Sequence, residues 1–462
     1  MKFNLNSASG VKVFPLSIEA YEKSSYFDRM KNLFNAKSGE VFPNFVNGDL
    51  ELLLGLGKEK EISTQEIIKA FYSLGKAANE YKISALSIDV SVLSSYFPSI
   101  IEGLYQSKYR NEKYLSDRKE QVLLDINFTN APNSAQNTID MLESIMEGVF
   151  LARNLINEPA MYLYPETLAQ RALDKLEPAG VKVEILNKKD IEELGMEAFL
   201  SVAKGSAKEP KLIIMTYKGD EKNSHVTGLV GKGLTYDSGG YCIKPPSGMK
   251  TMHSDMGGAG TVIGAIYSIA KSKLKCNITG VVAACENMIS GDAYKTGDII
   301  GSMSGKTIEI DNTDAEGRVT LADSLYYTAT KLGVNEIIDL ATLTGACVVA
   351  LGDVATGAIT NNQLLLDKLV ESGNDCGEPI WQLPSFPEYK ELIKSSVADL
   401  KNSGGRYGGT ITAGLFLQEF VNELPWVHLD IAGTSFLEKP RGYLPLGATG
   451  FGVKTLFNYF AK

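Results

Sequence analysis

Histidine is nearly missing from this chain: 462 residues hold only His225, His253 and His428. No pair has the spacing of an HExxH helix, which excludes that kind of zinc site. Cysteine is sparse too. Cys242, Cys276, Cys285, Cys347 and Cys376 are scattered, odd in number and without CxxC spacing. That argues against a thiolate zinc site or a disulfide framework and suits a reducing cytosol. Positive charge is in deficit, with 46 Lys and Arg against 55 Asp and Glu, a net charge of -9. Non-specific binding to nucleic acid or anionic membranes is therefore disfavoured. Apolar runs are short; the longest, near Leu340–Leu351, is broken by Thr and Gly and falls short of a membrane span. The opening MKFNLNSASGVKVFPLS has no apolar h-region, so no secretory signal is expected. Repeats and low-complexity segments are absent. The remainder, 44% hydrophobic and 22% charged, is that of an ordinary cytoplasmic globular protein, long enough for roughly two to three domains.

What the chain does have is a set of carboxylates in unusual company. Residues 311–323 read DNTDAEGRVTLAD, with Asp314, Glu316 and Arg318 at every second position. In an extended segment these side chains would share one face; a surface Glu–Arg pair in a turn is the plainer alternative. The flanks, strand-like over Lys306–Ile310 and helical over Leu321–Leu332, would put the motif in the crevice at a strand end, where α/β sheets bind ligands. A second cluster, GKGLTYDSGGYCIKPPSGMKTMHSD at 231–255, holds Lys232, Asp237, Lys244 and Asp255 among Gly231, Gly233, Gly239 and Gly240. Those glycines permit backbone geometries closed to other residues and leave room for a ligand. Four carboxylates cannot share a dry pocket unless some are protonated or cations neutralise them. An oxygen-rich set suits divalent metals, and two metals about 3.5–4 Å apart form a hydrolytic centre. By its residues alone, Lys232 reads more simply as a salt-bridge partner of the aspartates. GSMSGKT at 301–307 imitates a phosphate-binding loop, but its first glycine is one residue too close and it precedes a strand.

Taken in order, GKGLTYDSGG, IKP at 243–245, SDMGG at 254–258, ENMISGDAYKTGD at 286–298, NTDAEGR at 312–318, DLATLTGACVVALGD at 339–353, DLKNSGGRYGG at 399–409, and HLDIAGT with GYLPLGATGFGV at 428–453 resemble the leucine aminopeptidase family, cytosolic two-metal exopeptidases. The resemblance covers residues 150–462 and is weaker upstream. It implies that Lys232, Asp237, Asp255, Asp314 and Glu316 are metal ligands, with Asp237 and Glu316 bridging. A ligating lysine must be neutral, and nearby dications would depress its pKa. Lys244 would stabilise the oxyanion. Arg318 would hold a bicarbonate ion as general base, which fits the lack of a histidine base. Met252, Thr342, Leu343, Gly345 and Ala432 would contact substrate, with an apolar, adaptable wall suited to leucine-like first residues. The resemblance further implies two divalent ions per subunit (Zn or Mn, with Co or Mg tolerated), peptide substrates and a homohexamer built as a dimer of trimers. A DNA-binding role and another dinuclear hydrolase, such as a cysteinylglycine dipeptidase, are the alternatives; the acidic charge weighs against the first. The chain departs from the family pattern at Tyr236, Cys242, Ile289 and Val319, none a proposed ligand. Cys242 is expected to be a small buried residue, His253 an exposed or outer residue of the site, and His428 structural.

The pattern predicts an α/β protein: a smaller N-terminal α/β domain over 1–134, a connecting helix and linker over 135–160, and a larger C-terminal catalytic domain over 161–462 with a mostly parallel sheet covered by helices. Strands are expected at Gly10–Pro15, Leu50–Leu54, Ala85–Val90, Lys211–Tyr217, Val226–Gly231, Ile278–Ala284, Glu336–Leu340 and Val427–Ile431. Helices are expected at Ser63–Tyr81, Ser99–Lys108, Ala135–Leu155, Ala259–Lys271 and Leu321–Leu332, and a linker at Asn127–Asn137.

Overall fold

The computed structural model describes residues 1–118 and 120–462. It divides into two compact units, Met1–Met146 with Lys439–Pro445, and Glu147–Glu438 with Leu446–Lys462. Both are α/β, as the pattern predicts. No helix among the described residues is long and apolar enough to cross a membrane.

The first unit is built on a six-stranded sheet in the order Lys2–Leu5, Asp125–Thr129, Ala85–Asp89, Val11–Leu16, Asp49–Gly55, Val41–Val46. Its pairs are parallel except the last. Helix Thr64–Glu80 buries Ile67, Phe71, Leu74 and Ala78, the spacing of one helical face, and Ser63 caps it by accepting from the amide of Glu66. The linker expected at Asn127–Asn137 is corrected here. Its first residues belong to the buried strand Asp125–Thr129, and Asn127 donates to the carbonyls of Ser9 and Leu86. A polar residue with its bonds satisfied sits in a core strand at little cost, so composition misled.

The larger unit holds an eight-stranded sheet. In order it runs Ile380–Gln382, Thr356–Thr360, Trp426–Asp430, Glu336–Ala341, Thr227–Asp237, Asn277–Asn287, Lys211–Lys218, Lys182–Leu186. The four central strands are mutually parallel; antiparallel strands flank them. Helices Gly257–Lys271 and Glu316–Lys331 cover the sheet, and the core gathers Val230, Val281, Ile337, Leu325, Phe416 and Trp426.

Two boundaries differ from expectation in ways that matter. Strand Thr227–Asp237 runs six residues past Gly231. Gly231 and Gly233 serve close packing there: a Cβ on Gly231 would lie 2.7 Å from the carbonyl of Gly258 and 2.8 Å from the backbone of Ala259. Only Gly239 and Gly240 use the left-handed backbone, at φ +85° and +62°, as a sharp turn off the strand requires. Helix Glu316–Lys331 begins five residues before Leu321, so Glu316 and Arg318 lie in a helical first turn and the extended, one-face reading of Asp314, Glu316 and Arg318 is wrong.

Candidate metal centre

Parallel strands deliver their C-terminal ends to one edge of the sheet. Strand Thr227–Asp237 contributes Lys232 from its interior and Asp237 from its end. Its neighbour Asn277–Asn287 ends in Asn287. On the other side, Glu336–Ala341 leads into Thr342 and Leu343, and Trp426–Asp430 leads into Ala432. Met252 lies in the 3-10 turn before Asp255, and Gly345 opens helix Gly345–Leu351.

One carboxylate oxygen each from Asp237, Asp255 and Glu316, all buried, lie within 4.8 Å of one another. Two lysines are held among them. Lys232 Nζ is 2.8 Å from Asp255, 2.9 Å from Glu316 Oε1, and donates to the carbonyl of Thr342 at 3.0 Å. Lys244 Nζ is 2.8 Å from Asp237 Oδ2 and 2.6 Å from Asp314 Oδ1. Lys232 is 3% exposed and Glu316 1%. Asp314, by contrast, is only partly buried.

The electrostatics follow from that geometry. Burial raises the Glu316 and Asp255 carboxyls above their ordinary range, with Asp237 adding repulsion to both and the lysines opposing. Burial would strip Lys232 of its proton, but Asp255, Glu316 and Asp237 outweigh it and hold the ammonium well above the usual lysine range. Lys244 behaves likewise toward Asp237 and Glu316. Burial brings the Arg318 guanidinium down to about 10, against the pull of Glu316 and Asp430, so it stays charged at neutral pH. Four carboxylates thus meet two ammonium groups, and Glu316 Oε2 is buried without a hydrogen-bond partner. Such an excess of negative charge, with an orphaned carboxylate oxygen, is the donor set that a divalent cation satisfies. The free amides at the start of helix Glu316–Lys331 add a field favourable to anions beside Arg318, whose Nε is also buried and unpartnered.

Several residues that sequence reasoning gave no role hold this arrangement. Asn287, fully buried, donates to Asp237 Oδ1 at 2.8 Å and to the carbonyl of Thr313 at 3.0 Å. Tyr294 donates to the same carbonyl at 2.9 Å. Asn402 accepts from the amides of Asp311 and Asn312 and donates to the carbonyl of Asn312. Both asparagines belong to motifs quoted above, and their signal was a polar residue beside a strand. The histidines stand apart from the carboxylates. His253 is half-buried, edge-on to Phe436 at 5.8 Å. His428 is fully buried, its Nδ1 2.6 Å from Asp339 Oδ1. Cys242 is half-buried rather than buried, its thiol 3.4 Å from the Thr296 hydroxyl.

Fold and site together define a metal-binding hydrolase on an α/β scaffold. The chain belongs to the cytosol aminopeptidase family: the model of that family's catalytic domain matches residues 150–457 and that of its N-terminal domain residues 31–118. It is 50% identical to the "Probable cytosol aminopeptidase" of Clostridium tetani, covering all of this chain and 99% of that one. With the protein of the same name from Treponema denticola it shares 47% identity over the full length of both. Among solved structures, a variant of tomato leucine aminopeptidase superposes with a TM-score of 0.89 at 31% identity, covering 100% of this chain and 96% of that one. The bottromycin maturation enzyme BotP in complex with Mn superposes with a TM-score of 0.90 at 30% identity, covering 98% and 99%. The protein is a metal-dependent aminopeptidase acting on peptides.

Proposed function

We propose that the chain is a cytoplasmic leucyl aminopeptidase, working as a homohexamer, that removes leucine and similar residues from peptide N-termini. In this reading residues 161–462 form the catalytic domain, reached from the N-terminal domain, 1–134, through 135–160. The observation that carries the reading is the interleaving of Lys232 and Lys244 with Asp237, Asp255, Asp314 and Glu316 around an orphaned carboxylate oxygen.

Lys232, Asp237, Asp255, Asp314 and Glu316 are the residues that would hold two divalent cations. When bound, these supply Lewis acidity toward the scissile carbonyl, an anchor for the free α-amino group and a more acidic water; Zn, Mn, Co and Mg all tolerate such donors. Lys232 must give up its proton to serve as a ligand. Lys244 keeps its proton and donates to the oxygen on which negative charge develops. Arg318, charged and set at a helix start, offers its unpartnered donor to bicarbonate, an external proton acceptor needed once the carboxylates hold the cations. Met252, Thr342, Gly345 and Ala432 border the first side chain, and Leu343 contacts the substrate backbone.

The test is hydrolysis of leucine p-nitroanilide by chelator-stripped protein, with Mn or Zn restored. Activity that returns with metal and vanishes on N-acetylated substrate supports the reading; turnover of the acetylated substrate would overturn it.

A further inference from the structure

Asp430 closes strand Trp426–Asp430 and is 0% exposed, yet the mechanism above leaves it unused. Its carboxylate is bonded to the walls of the site. Oδ1 accepts from the amides of Leu343 and Ala432, each at 3.2 Å. Oδ2 accepts from the Thr344 hydroxyl at 2.6 Å. Thr344 in turn caps helix Gly345–Leu351, accepting from the amide of Cys347 at 3.0 Å, and pairs with the Thr410 hydroxyl at 2.8 Å. One side chain therefore ties the loop after Glu336–Ala341 to the loop after Trp426–Asp430. The first loop is fixed at its other end to the metal centre: the Thr342 hydroxyl donates to Asp255 Oδ1 at 2.8 Å, and its carbonyl accepts from Lys232.

A charge buried this deeply is costly, and apolar packing would give a cheaper core. Burial raises the Asp430 carboxyl, and the His428 ring beside it opposes that rise. His428 is itself held by Asp339, which also accepts from Trp426 Nε1 at 2.7 Å. A carboxylate with three donors converging from two loops fixes their separation far more tightly than apolar contact would.

We propose that Asp430 is a specificity-determining positioning residue: by clamping the two loops it sets the width of the pocket for the substrate's first side chain, and so the preference for a large apolar residue over a small one. This rests on the assignment of Met252, Thr342, Gly345 and Ala432 to that pocket, and of Leu343 to the substrate backbone beside it.

The test compares Asp430→Asn, nearly isosteric, with Thr344→Val, which removes the hydroxyl bonded to Oδ2 together with its bonds to the Cys347 amide and Thr410, with Thr410→Val as the control that loses only the Thr410 bond, and with Ala432→Val as a probe of the pocket. Each is loaded with Mn and assayed on leucine and alanine p-nitroanilides, with bound metal and Tm recorded. The leucine-to-alanine ratio of kcat/KM should fall about tenfold in Asp430→Asn, the scale on which a pocket reads one or two methylenes, and about threefold in Thr344→Val, mainly through the leucine KM, with metal content unchanged. Equal losses on both substrates would mark a purely structural role and overturn the proposal; so would an unchanged ratio in both variants while Ala432→Val shifts it. If Ala432→Val leaves the ratio unmoved as well, the pocket assignment falls and takes the proposal with it. Should Asp430→Asn fail to fold, Thr344→Val decides.

Discussion

Gly317 stands between Glu316 and Arg318, in the first turn of helix Glu316–Lys331. A Cβ there would lie 2.5 Å from Cε, 2.7 Å from Nζ and 3.0 Å from Cδ of Lys232. Carbon atoms pack best at about 3.5–4.0 Å, so the end of Lys232 would have to retreat by roughly 1 Å. It has nowhere to go: the side chain is 3% exposed and its ammonium is engaged with Asp255, Glu316 and the Thr342 carbonyl. The backbone, by contrast, accepts the change, since Gly317 is not among the residues with positive φ, and Ala is worth about 1 kcal/mol over Gly within a helix. Gly317→Ala should therefore lower Tm by a few degrees at most, the helix gain offsetting part of an overpacking cost of about 1–3 kcal/mol, while lowering kcat on leucine p-nitroanilide on the order of 100-fold, the usual cost of a 1 Å displacement among reacting groups. Metal bound per chain, measured by atomic emission after gel filtration, should fall with it. Wild-type kcat and metal content in a folded Gly317→Ala protein would refute the reasoning, because the amine of Lys232 would then have no required position.

Other perturbations probe the same site. Arg318→Ala should lower kcat by about 10²–10³, the range of a lost electrostatic or proton-transfer group, with metal content near wild type; a metal-free variant would sink the bicarbonate assignment. Asn287→Ala removes the donor that orients Asp237 and should weaken Mn binding about 10–100-fold in chelator competition, as for other outer partners of metal ligands, whereas unaltered affinity would deny Asn287 that role. Metal affinity should rise with pH. The Glu316 and Asp255 carboxyls, raised by burial, and the Lys232 ammonium, raised by its carboxylate neighbours, all bind protons more tightly in the metal-free fold than ordinary groups do. Each proton shed on binding adds up to about one unit of log affinity per pH unit. Mn titrations at pH 6.5 and 8.0 should show the stronger binding at 8.0, and a flat profile would mean that neither Lys232 nor Glu316 sheds a proton to the metal.

The residue types of the site were legible early, because carboxylates beside lysines in a histidine-poor chain have few plain explanations. Local conformation was less so. A period of two across Asp314, Glu316 and Arg318 looks like a strand, and the true helix start is disguised: Ala315 occupies the capping position and supplies no side-chain cap, so the usual Ser, Thr, Asp or Asn signal is missing. The extension of Thr227–Asp237 past Gly231 was hidden in the same way. Glycine and lysine there interrupt the apolar run, but Gly231 lets helix Gly257–Lys271 lie against the strand, Gly233 gives way to the neighbouring strand at Val282 and Ala283, and Lys232 is tolerated because every donor it has faces a carboxylate or carbonyl.

What no local pattern could supply is which segments meet, since that depends on strand order across the sheet. Yet the four central strands share a trait visible in the chain once their order is known. Each is largely buried and ends in, or leads straight into, a polar residue: Asp237, Asn287, Thr342 and Asp430. On strands buried on both faces such a residue must find partners or cost about 1–3 kcal/mol, and here each does so by gripping another segment of the site: Asp237 takes Lys244 and Asn287, Asn287 takes the Thr313 carbonyl, Thr342 takes Asp255, and Asp430 takes the Leu343 and Ala432 amides. The site is thus assembled by the same bonds that relieve the polar strand ends. Mutation at Asn287 should consequently alter metal affinity, and mutation at Asp430 side-chain preference, before either alters the fold.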